Sequence, residues 1–405
     1  MHTDRTTRVR RRAWWMGGGL AAVLIVGGYA TGVLVAPLPA TAAVATHQTS
    51  IVPPAAQPAW PAFGAAAVGA IGYDGVLASH GTDASVPIAS ITKTITALVL
   101  LDAKPIAPGT DGPLIPFTDA DVAILGQVQA NDGSWAPVVS GSTLTERQGL
   151  EAMLLPSANN YAISLTNWAF GSAEDYLPAA NAWLSARGLT DTHVADASGL
   201  SPHSVSSTGD LIELGKLVLA DPILSSIVGT AATELPAIGL LKNTNRLLGQ
   251  QGIDGIKTGS TDEAGECLLF SADVTVQAKQ VTVVGVVLGA PDTDALYPAV
   301  STLLASVQNG FHDVELTDPG QKFASYTTAW GASTQLIATE TRSVLVWSDT
   351  PITAVLKSTP LRPGAPVEGA GSIEFTVGTK TISEPLRART ALAGPDPFWR
   401  LLHPF

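Results

Sequence analysis

Three short motifs in the chain contain the residue types that nucleophilic catalysis requires. The first is Ser90-Ile91-Thr92-Lys93, in which a serine and a lysine three residues apart share one face of a helix start. A serine attacks well only when a base takes its proton, and a lysine serves as that base only when burial or another cation lowers its pKa. The apolar run 94–101 predicts a buried helix that would supply this desolvation. Taken alone the motif is weak, because a capped helix start with a solvated lysine has the same pattern.

The second and third motifs make the first one specific. Ser157-Ala158-Asn159 begins 67 residues after Ser90, and Lys257-Thr258-Gly259 begins 100 residues after Ser157. The patterns S-x-x-K, S-x-N and K-T-G each occur once, in this order, and two of only nine lysines fall within them. Helical spacing around Pro156 predicts that the second motif lies in a turn between two helices, whereas β-branched residues predict that the third lies on a strand. The combination indicates a serine acyl-transfer site.

Each residue of the first two motifs has a chemical role in this interpretation. Ser90 attacks a carbonyl carbon and Lys93 accepts the hydroxyl proton. Ser157 can pass a proton to the leaving amine. Asn159 can hold Lys93 and a substrate amide. We therefore take these four side chains as the candidate catalytic residues.

The third motif and the residue after it are the candidate substrate-binding residues. Lys257 keeps the site positive, which lowers the pKa of Lys93 and attracts a substrate carboxylate. The strand edge formed by Thr258, Gly259 and Ser260 offers backbone groups to an extended substrate, and the glycine permits close approach. The amides of Ser90 and Ser260 are the candidate oxyanion donors, since a tetrahedral intermediate needs two N–H groups directed at one oxygen.

Other kinds of site find no support in the sequence. The seven histidines are scattered, and His193 and His203 have no H-E-x-x-H motif or Cys/His cluster around them, so we expect no metal and no cofactor. There is no G-x-S-x-G motif. Cys267 is the only cysteine, which excludes an intramolecular disulfide, and its apolar neighbours predict a buried thiol on a strand.

Composition and charge define the general class of the chain. Hydrophobic residues make up 46% of the 405 residues and charged residues 14%, which is enough apolar material for a large core. The formal net charge is −12, yet five arginines lie within the first twelve residues. The remainder carries 17 basic against 33 acidic residues, and such a surface excludes general affinity for nucleic acid.

The N-terminal part has the pattern of a membrane signal. Residues 1–13 are basic, residues 14–36 are apolar and long enough to span a bilayer, and residues 37–61 form a Pro/Ala-rich linker. Because the arginines precede the apolar segment, we expect residues 1–13 in the cytoplasm and the body outside it. The length favours a retained single-pass signal-anchor, while the small residues around 40–43 leave open a cleaved signal peptide and a secreted body.

The rest of the chain is predicted to form a catalytic domain and a smaller β module. Residues 62–312 contain all three motifs, with a hairpin first, helices from about residue 143, and strands at 255–259, 267–272 and 281–288. Residues 313–392 contain short strands separated by proline and glycine, which predict an all-β module. Residues 393–405 form an aromatic tail that is too short and proline-rich for a stable amphipathic helix.

These motifs and their surroundings resemble the D-alanyl-D-alanine carboxypeptidases, the low-molecular-mass penicillin-binding proteins of peptidase family S11. The resemblance covers about residues 65–310 and extends beyond the motifs to the stretches Pro87-Ile88-Ala89-Ser90-Ile91-Thr92-Lys93, Met153-Leu154-Leu155-Pro156-Ser157-Ala158-Asn159, Asp196-Ala197-Ser198-Gly199-Leu200, Asn243-Thr244-Asn245-Arg246-Leu247-Leu248 and 254–265. It implies an α/β fold of the serine β-lactamase and penicillin-binding-protein type, in which an antiparallel sheet lies beside a helical subdomain.

The resemblance also implies a function and its partners. Enzymes of this family remove the terminal D-Ala from peptidoglycan stem pentapeptides through an acyl-enzyme, here at Ser90, during cell-wall synthesis and cell shaping. β-Lactam antibiotics would be covalent inhibitors. Relatives in this family are anchored by a C-terminal amphipathic helix, which this tail does not resemble, so we expect the N-terminal helix to attach the enzyme to the membrane instead. A D,D-endopeptidase or transpeptidase would use the same residues. A serine β-lactamase would need a deacylating glutamate, for which Glu174 is the poorly matching candidate, and an inactive wall-binding scaffold is the non-enzymatic alternative.

Overall fold

A computed structural model describes residues 5–46 and 50–404. Small parts of the predicted basic segment, linker and tail, namely residues 1–4, 47–49 and 405, lie outside the described residues. The chain divides into two compact units. One comprises Ala55–His312, and the other combines Met1–Pro54 with Asp313–Phe405.

The N-terminal apolar segment is helical. Helix α1 (Arg5–Val35) includes the 22-residue stretch Trp14–Val35, which is long and apolar enough to cross a membrane and is not buried against the protein. A short strand, β1 (Val44–Ala45), follows it.

The unit Ala55–His312 contains all three motifs and combines helices with strands. Its helices are α2 (Thr92–Ala103), α3 (Asp119–Ala130), α4 (Glu146–Leu154), α5 (Asn159–Phe170), α6 (Ala173–Ala186), α7 (Thr208–Ala220), α8 (Pro222–Val228) and α9 (Thr293–Gln308). Its strands are β2 (Ala65–Ala70), β3 (Ala78–His80), β4 (Val86–Pro87), β5 (Leu114–Pro116), β6 (Thr143–Thr145), β7 (Val205–Ser206), β8 (Ala232–Leu235), β9 (Gly239–Lys242), β10 (Ile253–Thr261), β11 (Gly265–Val276) and β12 (Lys279–Ala290).

A five-stranded antiparallel sheet forms one layer of this unit, in the order β10-β11-β12-β2-β3. The long central strands are buried along most of their length because helices cover the sheet: α7 contacts β2, β11 and β12, and α9 contacts β11 and β12. The predicted strands 267–272 and 281–288 are therefore longer in the structure, and they pair up to a turn at residues 277–278. Strand β10 lies at the edge of the sheet with one side free of pairing within the five strands.

A helical layer surrounds the first motif. Helix α2 contacts α4, α5, α6 and α7, and ten of its twelve residues are buried, including the polar residues of its first turn. Helix α4 begins at a capping box in which Thr145 and Gln148 satisfy each other's backbone amides. Pro156 follows this helix, and α5 starts at Asn159. The second motif thus occupies the connection between two helices, as the sequence predicts.

The C-terminal part of the second unit is all-β except for its last helix. Its strands are β13 (Phe311–Thr317), β14 (Lys322–Thr327), β15 (Ser333–Ala338), β16 (Arg342–Trp347), β17 (Ile352–Ser358), β18 (Gly371–Val377) and β19 (Lys380–Ala388), and helix α10 spans Pro397–Leu402. Six strands form one sheet in the order β1-β14-β15-β19-β18-β17. Their inward residues, including Tyr326, Leu336 and Phe375, form a core of their own.

Two features of this unit differ from the sequence-based expectations. Part of the predicted linker joins the sheet: Val44 and Ala45 pair with Ser325 and Ala324 of β14, and Thr41 bridges to Leu361. The tail contains a six-residue helix, α10, which Asp396 caps by accepting a bond from the Trp399 amide. Local secondary-structure propensity does not predict either element. Pairing with β14 holds β1 in place, and a contact with α1 holds α10.

Candidate active site

Ser90 and Lys93 are in direct contact. Ser90 lies in a 3₁₀ turn (Ala89–Ile91), and α2 begins two residues later at Thr92. This geometry places Lys93 Nζ 2.8 Å from Ser90 Oγ. Ala89 has a φ of 45°, an unusual left-handed conformation for a non-glycine residue, immediately before the serine. The turn therefore presents the hydroxyl to the cleft while the lysine lies within the fold.

Lys93 is fully buried. Its Nζ donates to the backbone carbonyl of Ser198, 2.7 Å away. Burial lowers the pKa of Lys93 well below its usual value, and the positive charge of Lys257 lowers it further, while Asp196 has the opposite effect. A neutral Lys93 in contact with Ser90 can accept the hydroxyl proton, which is what a general base requires.

The second motif lies at the start of α5. Ser157 is buried with a φ of 63°, so the backbone is left-handed at the point where its side chain enters the cleft. Asn159 is also buried, and its backbone amide donates to the Ser134 carbonyl at 2.7 Å. Its side-chain Oδ1 has no hydrogen-bond partner among the described residues. A buried acceptor in this state is available to a bound substrate or to Lys93.

The two residues after Asn159 hold in place the loop that carries Ser134, one of the residues that line the cleft. Asn160 Oδ1 accepts a bond from the Ala136 amide at 3.1 Å, and its Nδ2 donates to the Ala136 carbonyl at 3.0 Å. Tyr161 donates its hydroxyl to the Pro137 carbonyl at 2.8 Å. No pattern in the sequence predicts these bonds, although they hold the segment that carries Ser134 against the second motif.

The third motif lies on the edge strand β10. Lys257 is buried and donates to the Thr258 carbonyl at 3.0 Å, and burial lowers its pKa to about 7. Thr258 and Thr244 share a hydrogen bond of 2.6 Å between their hydroxyls. Gly259 faces the Ser90 turn, and Ser260 donates to Glu266 at 2.7 Å. The β10 edge therefore lies directly against the turn that carries the serine.

An open cleft of about 320 Å³ joins the three motifs. Five of the eight predicted site residues line it, namely Ser90, Ser157, Thr258, Gly259 and Ser260. Lys93, Asn159 and Lys257 are buried next to these residues rather than on the cleft surface. The lining residues outside the prediction are Ser134, Asn243, Thr244, Arg246, Glu266, Thr293 and Tyr297. Of these, Asn243, Thr244 and Arg246 belong to a stretch that carries the family resemblance, and the positive charge of Arg246 also suits a substrate carboxylate.

The described residues contain no group of three or more His, Cys, Asp or Glu side chains that could hold a metal ion. Cys267 is buried on β11, and burial raises the pKa of its thiol to about 11. This thiol therefore stays protonated at neutral pH and is unsuited to nucleophilic chemistry.

The fold and the site define a class of protein. An antiparallel sheet beside a helical layer, with a buried lysine against a serine at the start of a central helix, is the arrangement of penicillin-binding serine enzymes. The sequence model of the D-alanyl-D-alanine carboxypeptidases, peptidase family S11, matches residues 64–292, more than half of the chain. The chain belongs to this family of serine peptidases.

Individual relatives agree with this assignment. The D-alanyl-D-alanine endopeptidase of Pseudomonas aeruginosa is 33% identical over 206 residues, which cover 49% of this chain and 63% of the relative. The D-alanyl-D-alanine carboxypeptidase DacA of Escherichia coli K12 is 28% identical over 334 residues, which cover 76% and 78%. The chain thus spans less than two thirds of the first of these relatives.

A solved structure resembles a still larger part of the chain. Penicillin binding protein 5 from Haemophilus influenzae superposes with a TM-score of 0.57 over 85% of this chain and 100% of its own, at 19% identity. This similarity shows the fold.

Proposed function

We propose that the protein is a serine-type D-Ala-D-Ala carboxypeptidase that removes the terminal D-Ala from peptidoglycan stem pentapeptides. The observation that carries the proposal is the 2.8 Å contact between the Ser90 hydroxyl and the buried Lys93 amine. Family membership supplies the substrate class, and the acidic body excludes nucleic acid as a partner.

In the proposed reaction, Lys93 takes the Ser90 proton as Oγ bonds to the carbonyl carbon of the penultimate residue. The amides of Ser90 and Ser260 stabilise the oxyanion. The C–N bond then breaks and Ser157 passes its proton to the nitrogen of the departing D-Ala, while the proton that Lys93 took from Ser90 returns to Ser157. Asn159 positions the substrate amide, and the charge of Lys257 with the Thr258 and Gly259 edge binds the substrate's carboxylate and backbone. Water then hydrolyses the ester, giving the shortened peptide and free Ser90.

Labelling with a fluorescent penicillin tests the nucleophile. We expect covalent labelling of the wild type and of a Ser142→Ala control, whose hydroxyl bonds to the Val139 carbonyl away from the cleft. Ser90→Ala should show none. Equal labelling of Ser90→Ala and wild type would overturn the assignment. Release of free D-Ala from a pentapeptide analogue then tests the carboxypeptidase reaction itself.

A second candidate is cleavage of cross-linked peptides, because the Pseudomonas relative is named an endopeptidase. The same acyl-enzyme serves both reactions, and only the leaving amine differs. Comparing a cross-linked dimer with a linear pentapeptide separates them. A β-lactamase activity is disfavoured, since Glu174 is exposed in the first turn of α6 and does not line the cleft.

For the N-terminal part we propose a retained single-pass signal-anchor, with residues 14–36 in the membrane and the catalytic body outside the cytoplasm. The segment after α1 is joined to the β module within and just after the candidate cleavage region: Thr41 bridges to Leu361, and Val44 pairs with Ser325 of β14. Arg400 of α10 also donates to the Ala36 carbonyl at the end of α1, 3.2 Å away. Mass spectrometry of the mature N-terminus tests this: a mature chain that begins near residue 44 would overturn it.

We also propose the domain organisation predicted above, with a catalytic domain at 62–312, a β module at 313–392 and a tail at 393–405. The extents of the family match and of the first compact unit support the catalytic boundaries. The pairing of β1 adds residues of the 37–61 segment to the β module.

A further inference from the structure

A tight loop that no predicted role explains closes around the carboxylate of Asp196. Oδ1 accepts hydrogen bonds from the amides of Ser198, at 3.2 Å, and Gly199. Oδ2 accepts one from the Ser201 amide at 2.8 Å. A carboxylate that accepts several backbone N–H bonds holds those amides in one conformation. The Asp196 side chain therefore holds three of the backbone amides of residues 196–201 in place.

The loop presents one carbonyl to the candidate base. The Ser198 carbonyl accepts the 2.7 Å bond from Lys93 Nζ, which in turn lies 2.8 Å from Ser90 Oγ. Gly199 has a φ of +80°, and a Cβ at this position would lie 1.8 Å from the Ala89 carbonyl oxygen. The loop thus packs against the same turn that carries the nucleophile, and any shift of it is transmitted to both Ser90 and Lys93.

A second set of bonds holds the loop from the opposite side. Thr96 Oγ1 donates to the Ala197 carbonyl at 2.8 Å, and the Tyr176 hydroxyl lies 2.9 Å from the same Oγ1. Burial raises the pKa of Tyr176, so its hydroxyl stays neutral. These bonds hold the loop in position and add no charge near Lys93.

We propose that Asp196 is the positioning residue of the general base: it holds the Ser198 carbonyl on Lys93 and provides the negative charge that acts on this buried lysine. The proposal rests on the proposed function, since it assigns Lys93 as the base. It adds a residue outside the three motifs to the catalytic apparatus.

The charge of Asp196 makes the proposal distinguishable from a purely structural role. The ionisable groups around Lys93 are Lys257 from β10, Asp196 from the loop and Tyr176 from α6. Among these, only Asp196 favours the protonated form of Lys93 by its charge. Removing that charge lowers the pKa of Lys93 further, so the neutral base persists to lower pH.

The experiment compares labelling rates of the full chain in detergent, with a fluorescent penicillin, from pH 5 to 9. Asp196→Asn keeps one acceptor oxygen but loses the charge, and we expect the acid limb of its profile to move to lower pH. Asp196→Glu keeps the charge, so its limb should stay in place while its rate falls. Asp196→Ala, which loses both, should fall about 10²-fold, the cost of a misplaced catalytic group.

Asp221→Asn is the matched control, because Asp221 also accepts two backbone amide bonds, from Ile223 and Leu224 at 2.9 Å, but at the start of α8. Its profile should match the wild type. A uniform loss of rate in Asp196→Asn with an unmoved limb would overturn the inference and leave the proposed function intact. A moved limb in Asp196→Glu would also overturn it, even if the asparagine variant does not fold. Absence of labelling in the wild type would overturn both.

Discussion

Gly259 lies so close to the backbone of Ser90 that no larger residue fits between the edge strand and the nucleophile turn. A Cβ on Gly259 would lie 3.3 Å from the Ser90 amide nitrogen and 2.8 Å from the Ile88 carbonyl oxygen. The contact explains why the third motif ends in glycine. It also ties the position of β10 to that of the serine.

We therefore predict that Gly259→Ala lowers the rate of penicillin acylation about 10- to 100-fold, because displacing the turn misplaces the attacking oxygen. The matched control is Gly126→Ala, since a Cβ at Gly126 of α3 would meet nothing within 4 Å. This control should keep full activity and gain about 0.5–1 kcal/mol of stability from helix propensity. Undiminished acylation by Gly259→Ala would show that the turn can move without cost.

Lys257 should make the site lose affinity for anionic ligands above neutral pH. Its pKa is lowered to about 7 by burial, so its positive charge is present below that pH and lost above it. Because the base Lys93 must be neutral, the acylation rate should increase as pH rises through the acid range and Lys93 loses its proton. The rate should then decrease above about pH 7, where Lys257 loses its charge. The measurement is the pH profile of the second-order acylation rate.

Replacing Lys257 with arginine tests the effect of its charge separately from the effect of its side-chain shape. Lys257→Arg remains charged throughout the range. We expect a lower maximum rate but no fall above pH 7. Lys216→Arg is the control, because Lys216 binds the Gly75 carbonyl and Glu213 outside the cleft. If the acylation rate of Lys257→Arg falls above pH 7 by the same factor as that of the wild type, the descending limb belongs to another group.

Glu146 should destabilise the fold as pH rises. Only 1% of this residue is exposed, neither carboxylate oxygen has a hydrogen-bond partner among the described residues, and burial raises its pKa to about 7. The folded state therefore holds this proton more tightly than the unfolded state does. Stability is greatest below the unfolded pKa of about 4.5 and falls by about 3 kcal/mol as pH rises from there to the folded pKa of about 7.

Thermal unfolding at pH 5 and pH 8 tests this. Glu146→Leu should raise the melting temperature by several degrees more at pH 8 than at pH 5. Glu174→Gln, at an exposed position in α6, should show no such pH dependence. An equal effect of Glu146→Leu at both pH values would mean that the carboxyl is not protonated in the fold.

Cys267 should be inert in the folded protein. The thiol is buried on β11 with its pKa raised to about 11, so both access and the thiolate fraction are low. We expect no alkylation by iodoacetamide at pH 8 before denaturation and complete alkylation in guanidinium, measured by mass spectrometry. Rapid alkylation of the native chain would contradict the burial of this strand.

The sequence by itself determined the local elements that carry chemistry. An apolar run after Ser90, a proline between two helical patterns and β-branched residues around Lys257 were sufficient to place the motifs on a helix start, a turn and a strand, because local periodicity reports local burial. The family resemblance then implied the fold, which the family match and the structural similarity show.

Only the tertiary structure decided which distant groups meet these motifs. The Ser198 carbonyl on Lys93, the Asn160 bonds to Ala136 and the pairing of Val44 with β14 join residues that are far apart in the chain. No periodicity encodes such contacts, because they depend on how helices and strands pack rather than on propensity. The low pKa of Lys93 has the same origin: the sequence supplies the lysine, but burial and the approach of Lys257 set its charge.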